Sequence, residues 1–220
     1  MKLLVNREEL LEAVTIAASV AATRTPKPIL QCILFEVFND YALLSATDLE
    51  VGVRLSITRI QVEKTGAVLV PADKLGPIVR ECNDETLTIE LADNVCHIRG
   101  EDSHFQVYAQ DAKEFPPVTA LEGDCDFEMP VAELRRLSEW TVFAAARENT
   151  RYAINGVLWD RSGEGLTMVA TDGRRLSKAF QTISGGSDLA NMIVPTKAMG
   201  VFARVLGEPE SVVGVKFASN

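Results

Sequence analysis

His97 and His104 are the only histidines of the chain, each in a segment that alternates apolar and polar residues, and Cys96 precedes the first. Two imidazoles and a thiol are the start of a transition-metal corner, but a closed site takes four ligands and a catalytic one three. The missing ligands favour strand-surface histidines, so no metal is expected. Asp48 and Asp172 each follow Ala-Thr, and two carboxylates brought together could do acid–base work. An Asp between a strand and a turn more simply accepts hydrogen bonds from the backbone just after it. Asp172 with Arg174 and Arg175 is the one grouping that would suit hydrolysis of a phosphorylated substrate. The chain has no P-loop, no GxGxxG after a strand, no HExxH, GxSxG or paired CxxC. Nucleotide, dinucleotide, zinc-hydrolase and serine-hydrolase chemistries therefore lack their residues, and no catalytic residue or cofactor is assigned.

The elements that must position these residues are constrained by composition. The chain has 220 residues, 47% apolar and 24% charged, enough for one or two hydrophobic cores. Its 22 Lys and Arg against 31 Asp and Glu give a net charge of −9, which repels nucleic acid and anionic membrane unless a local basic surface meets them. No apolar run approaches the length of a membrane span, and the short apolar stretch after Lys2 gives way to charge by residue 7, too early for a signal peptide's apolar region. A soluble cytoplasmic protein is expected. Cys32, Cys82, Cys96 and Cys125 read as buried thiols rather than a disulfide frame.

The chain repeats itself. Shifted by 124 residues, Leu10 falls on Leu134, Leu34 on Leu158, Phe35 on Trp159, Leu44 on Met168 and Arg80 on Arg204. Ala46-Thr47-Asp48 falls on Ala170-Thr171-Asp172 and Val70-Pro71 on Val194-Pro195, all without a gap. Two identical strings and matched apolar positions at one offset indicate duplication. Two residues inserted after Arg204 bring Leu87, Ile89 and Leu91 opposite Val213, Val215 and Phe217. The first copy then continues through two further strand-like segments, VCHIRG and HFQVYAQ, that have no counterpart before Asn220, which predicts a longer natural protein. The domains expected are residues 1–115 and 127–220, the second cut short, with a Pro- and acid-rich linker at 116–126.

Each copy also divides in half. A short strand ending at Asn6, Pro71, Pro130 or Pro195 runs into an apolar-periodic helical stretch, and alternating strands follow. Asn6 with Glu9 has the form of a capping box, and a proline at a helix start loses no needed N–H. Strand, helix and three antiparallel strands, used four times, give an α+β architecture with helices on one face of antiparallel sheets. The helical stretches 6–24, 71–82, 130–149 and 195–206 hold nine basic and eight acidic residues, leaving 13 basic and 23 acidic for strands and loops. Less acidic helices gathered on one side suit a concave surface facing phosphates.

Residues 170–176, Ala-Thr-Asp-Gly-Arg-Arg-Leu, together with Arg151-Tyr152-Ala153-Ile154-Asn155-Gly156, closely resemble the bacterial DNA polymerase III β-subunit family of sliding clamps. Its second domain carries R-Y-x-L-N-G and then A-T-D-G-H-R-L. The segments V-N-R-E-x-L at the amino terminus, RTPKPIL from Arg24, ATDLE at 46–50, VPADKL at 70–75, EFP at 114–116 and VP-x-K-A at 194–198 resemble the same family in the same order. The resemblance spans the whole chain. It implies the DNA-clamp fold, no enzymatic activity, and domains one and two of three in a subunit that pairs head-to-tail as a ring around duplex DNA. By itself this chain is expected to be a monomer.

The resemblance further implies which residues would meet the partners. Polymerases, the clamp loader and repair proteins dock short peptides in a cleft between the second and third domains. The matching residues here are Arg151, Ile154, Thr171, Gly173, Arg174, Arg175 and Leu176. Ile154 and Leu176 would form an apolar floor, and Thr171, Gly173 and Arg175 a rim able to hydrogen-bond a peptide backbone. Arg174 stands where many relatives have His, and Ile154 where they have Leu. The positions matching the family's DNA contacts are Arg24, Lys74, Arg80, Arg136, Tyr152, Lys197 and Arg204, with Asp73 and Glu148 where some relatives carry basic or amide groups.

Overall fold

The computed structural model describes residues 1–120, 122–146, 154–162, 164–183 and 191–217. The chain divides into two compact units, Met1–Ala120 and Leu121–Asn220.

In the first unit β1 (Lys2–Asn6) runs straight into α1 (Arg7–Val20). Asn6 ends the strand and caps the helix, its side-chain oxygen accepting from the Glu9 N–H at 3.1 Å. Only that half of a capping box forms. The Glu9 carboxylate turns outward and accepts from the N–H groups of Thr58, at 3.0 Å, and Arg59, at 2.8 Å, so the cap also pins the loop between two later strands. Leu10, Ala13, Val14, Ala17 and Val20 recur at helical spacing and are buried. The helix stops at Val20, short of the predicted Arg24. Ala22 donates its N–H to the Leu30 carbonyl instead, and the Thr-Pro-Lys-Pro sequence that follows disfavours helical backbone before each proline.

A 3-10 turn at Pro28–Gln31 leads to β2 (Cys32–Val37), β3 (Ala42–Thr47), β4 (Gly52–Ile57) and β5 (Ile60–Lys64). The strand β5 has no place in the expected three-strand unit. Its sequence, IQVEK, alternates apolar and polar residues but is only five residues long, and as an edge strand it is not buried at any position. Then come β6 (Gly66–Pro71), α2 (Ala72–Glu81), β7 (Thr86–Ala92), β8 (Val95–Arg99) and β9 (His104–Tyr108).

The two halves exchange their leading strands. One sheet has the order β5-β1-β7-β8-β9 and the other β4-β3-β2-β6, so β1 pairs with strands of the second half and β6 with strands of the first. All neighbours are antiparallel. Leu3 sits opposite Ile89 and Val5 opposite Leu87, all fully buried, while α1 packs against α2. Separating the halves would strip these side chains of cover, at roughly 1.5–3 kcal/mol each.

The second unit repeats the plan with β10 (Phe127–Pro130), α3 (Val131–Thr141), β11 (Gly156–Ser162), β12 (Gly165–Thr171), β13 (Leu176–Thr182), β14 (Met192–Pro195), α4 (Thr196–Val205) and β15 (Val212–Val215). The α3 helix ends at Thr141 and tightens into a 3-10 turn over Val142–Ala144, earlier than the predicted residue 149, the last residues of that stretch lying outside the described ones. The sheets are β13-β12-β11-β14 and β10-β15. Phe127 faces Val215 and Met129 faces Val213, which matches Leu3 with Ile89 and Val5 with Leu87 once two residues are inserted after Arg204. The prolines at 71, 130 and 195 each close a strand and occupy the N-cap.

The Pro- and acid-rich segment between the copies is docked at both ends. Phe115 is buried beside Cys32 and Leu69, with Ala112 and Val118 packed against them. Farther on, the Asp126 side chain accepts from the Phe217 N–H at 2.6 Å. Among the described residues no helix is long and apolar enough to cross a membrane.

Candidate functional site: the turn before β13 and the sheet face beside it

A turn links β12 to β13, built from the string that carries the family resemblance. The Thr171 hydroxyl donates to the Arg175 carbonyl at 2.7 Å and accepts from the Gly173 N–H at 3.1 Å. One Asp172 oxygen accepts from the N–H groups of Arg174 and Arg175, at 3.0 and 2.9 Å, and the other from Arg175 Nε at 3.0 Å. Those backbone bonds, before the guanidinium, hold the Asp172 carboxyl below its ordinary value. It is a turn cap, and the three bonds its oxygens accept oppose the hydrolase reading.

The same turn appears in the first unit. Thr47 Oγ donates to the Val51 carbonyl at 2.9 Å and accepts from the Leu49 N–H at 3.0 Å, and Asp48 accepts from Glu50 and Val51. Asp48 and Asp172 therefore serve the same local role, each as the cap of a turn in its own unit.

The groups expected to form a peptide-binding rim are largely spent on this turn. The Thr171 hydroxyl and the Gly173 N–H are both used, and Arg175 reaches back with Nη2 to the Phe143 carbonyl at 2.9 Å while its guanidinium lies 5.7 Å from the Phe143 ring centre. The side chain still exposed and uncommitted in the turn is that of Arg174. Leu176, by contrast, is 66% exposed, so it is no core residue. Ile154 is half-buried, its carbonyl accepting from Ala146 N–H. Arg151 lies outside the described residues.

Register places Leu176 beside Thr171 on the face of the sheet turned away from α3, with Lys178 beside Val169 and Phe180 beside Thr167. Ser177 and Gln181 point the other way, to the Trp140 carbonyl and to Arg136. On the outer face Phe180 covers Gly165 and Ile193 covers Gly156, since a Cβ at either glycine would strike those side chains. Phe180 is itself exposed, and Ile193 is 46% exposed.

The first unit shows what such a face looks like when covered. Leu34 and Leu69, the counterparts of Leu158 and Ile193, lie under Phe115 and Val118. Gly52 is the counterpart of Leu176, and a Cβ there would come within 2.8 Å of Val118 Cγ1. Among the described residues of the second unit nothing plays the part of Phe115 and Val118, and a leucine stands where the first unit needs a glycine. Sequence reasoning named Leu176 but missed Phe180, Ile193 and the Phe143 carbonyl. Alternation along β13 was the available signal for Phe180.

The basic candidates differ in how free they are. Arg80 and Arg204 occupy the last turns of α2 and α4 and are exposed. Lys74 is exposed but paired with Asp73 at 3.1 Å. Arg136 is half-buried, bonded to Glu133 and Gln181 and stacked 5.3 Å from the Trp140 ring centre, so it is committed to its own unit. Lys197 is half-buried in the first turn of α4, and Arg24 lies past the end of α1 in an exposed loop rather than on the helix. Tyr152 lies outside the described residues.

The comparisons agree over both units. Residues 1–119 match the family "DNA polymerase III beta subunit, N-terminal domain" and residues 128–220 match "DNA polymerase III beta subunit, central domain". The beta sliding clamp of Escherichia coli K12 is 31% identical over 221 residues, covering 100% of this chain and 60% of that protein. Among solved structures, the DNA polymerase III beta subunit of Thermotoga maritima superposes with a TM-score of 0.87 at 31% identity, over 98% of this chain and 59% of that one. A Pseudomonas aeruginosa sliding clamp bound to griselimycin gives 0.89 at 31%, over 98% and 60%. The chain thus spans about 60% of the length of the relatives it matches.

Proposed function

The chain belongs to the DNA polymerase III β-subunit family, and from that premise we propose that it supplies the first two domains of a sliding clamp, a non-enzymatic processivity factor. The complete protein would encircle duplex DNA as a homodimeric ring of six domains. It would tether the replicative polymerase, the clamp loader and repair proteins through short peptides. A clamp retains DNA by topology, so its contacts need only be weak and aimed at phosphates. Exposed arginines at helix ends, such as Arg80 and Arg204, meet that need, and the acidic remainder of the chain discourages other modes of nucleic-acid binding.

The single observation that carries the peptide-binding part is the open apolar face of β13 and β14, with Leu176 exposed at its edge beside the Thr171–Arg175 turn. That turn acts as a rigid frame. Thr171 and Asp172 fix the backbone, Arg175 ties it to the 3-10 turn of α3, and the binding surface left is the Leu176 side chain with Arg174 beside it. An apolar anchor on the peptide would bury against Leu176, and a peptide acid would pair with Arg174.

The test is calorimetric titration of a peptide from the tail of the replicative polymerase into a clamp containing this chain. Leu176→Asp puts a carboxylate into the apolar contact and is expected to abolish binding with the circular dichroism spectrum unchanged. Equal affinity in a folded Leu176→Asp protein would remove the site.

A further inference from the structure

His97 and His104 are brought together on the outer face of the first unit's five-stranded sheet. Pairing of β8 with β9 sets His97 opposite Gln106 and Arg99 opposite His104, so the histidines are diagonal neighbours on one face. His97 Nδ1 lies 3.0 Å from His104 Nε2, with ring centres 5.2 Å apart and planes inclined by 31°. As neutral rings one donates and the other accepts; in the tautomers that carry their protons on His97 Nε2 and His104 Nδ1, both facing nitrogens present a lone pair to the space between them.

We propose that His97 and His104 form a two-histidine site for a divalent transition-metal ion, with water completing its coordination. Two nitrogens each about 2.0–2.1 Å from a tetrahedral ion stand roughly 3.3 Å apart, so a few tenths of an ångström of ring movement admits the metal. Imidazole ligands select zinc, copper or nickel over magnesium or calcium. Cys96 takes no part: alternation turns it to the core, where burial pushes its thiol up to about 12. Among the described residues no third His, Cys, Asp or Glu joins the pair, hence the water ligands. Glu90, opposite His97 across the β7–β8 pairing, adds negative charge nearby, but its carboxylate is held by Arg99 Nη1 at 2.5 Å. Lys2, opposite Glu90 on the far side, is paired with Glu63 at 2.8 Å. Among the described residues the charges flanking the pair, Glu90 with Arg99 and Lys2 with Glu63, are thus matched. Because β9 is an edge strand, a bound ion would staple that edge to β8.

Zinc chloride titrated into the chain by calorimetry at neutral pH is expected to show one ion bound per chain. His97→Gln and His104→Gln are each expected to weaken zinc binding by about tenfold or more, since either removes half of the chelate, with the metal-free melting temperature unchanged. In the unsubstituted chain, substoichiometric Cu²⁺ should broaden the NMR signals of the two imidazoles before any others, a readout independent of how the variants fold. Zinc binding that survives both substitutions, or imidazole signals untouched by Cu²⁺, would overturn the assignment.

Discussion

Leu49 and Gly173, 124 positions apart, hold the same place in one turn built twice, with φ of 80° and 83°. The turn demands left-handed backbone because Thr47 or Thr171 must accept the N–H of that residue while the following two N–H groups reach the Asp oxygen. Glycine adopts it without strain, and leucine does not. The hydrogen bonds around it over-determine the conformation in the first unit, and a leucine is tolerated there.

Leu49→Gly is therefore expected to stabilise the first unit by about 1 kcal/mol, since Leu49 is 60% exposed and gives up little burial. Gly173→Leu should cost the second unit a similar amount, because nothing lies within 4 Å of a Cβ built there and backbone strain alone opposes it. Urea denaturation read by far-ultraviolet circular dichroism checks both, and the fluorescence of Trp140 and Trp159 follows the second unit. A destabilised Leu49→Gly chain would mean that the leucine side chain makes a contact worth more than the strain.

Glu9 links stability to pH. Partial burial works against its charge, but N–H donation from Thr58 and Arg59, and the Arg59 guanidinium at 3.4 Å, outweigh it and hold the carboxyl below its ordinary value of 4.5. A lowered folded-state pKa contributes stability that is complete above the unfolded value and is lost as pH falls through the folded one. The chain is expected to lose its stability advantage over Glu9→Gln as pH drops below about 4.5, the two converging at lower pH. Melting curves from pH 7 down to pH 3 measure this, and a constant difference across that range would show that the contribution is not electrostatic.

Arg80 and Arg204 end equivalent helices of the two units, and both are exposed. Charge reversal of either, to Glu, is expected to weaken duplex binding of a clamp containing this chain equally for all sequences. Each should lower the slope of log affinity against log salt by about 1. Arg136→Ala is expected to act differently, through loss of the Glu133, Gln181 and Trp140 contacts, and to lower the melting temperature of the second unit. Anisotropy titrations at several salt concentrations separate these effects, and sequence-dependent losses would contradict phosphate contacts.

The duplication, the helix starts and most strands were legible in the sequence because each rests on local physics. A proline or asparagine between strand and helix, apolar residues at helical or alternating spacing, and Thr-Asp before a turn act within a few residues of where they stand. The offset of 124 carried the turn, the helices and the register of β10 with β15 from one unit to the other. The resemblance likewise pointed to Leu176, which stands exposed.

What only the tertiary structure decided was every relation between distant parts of the chain. The exchange of β1 and β6 between sheets depends on which buried faces fit, and two apolar strands carry no label for their partner. The polar strand β5 exists because β1 offers it an edge. The helix α1 ends at Val20 because Leu30 supplies a carbonyl to Ala22. The same physics altered the site. Arg175 and Thr171 look like free donors when read along the chain, yet folding places the Phe143 carbonyl and the turn's own backbone within reach. His97 and His104, seven residues apart and without a third ligand in sequence, meet because an antiparallel register folds one strand back on the other. Such pairings follow from the docking of strands and helices on one another, which side-chain type alone does not encode.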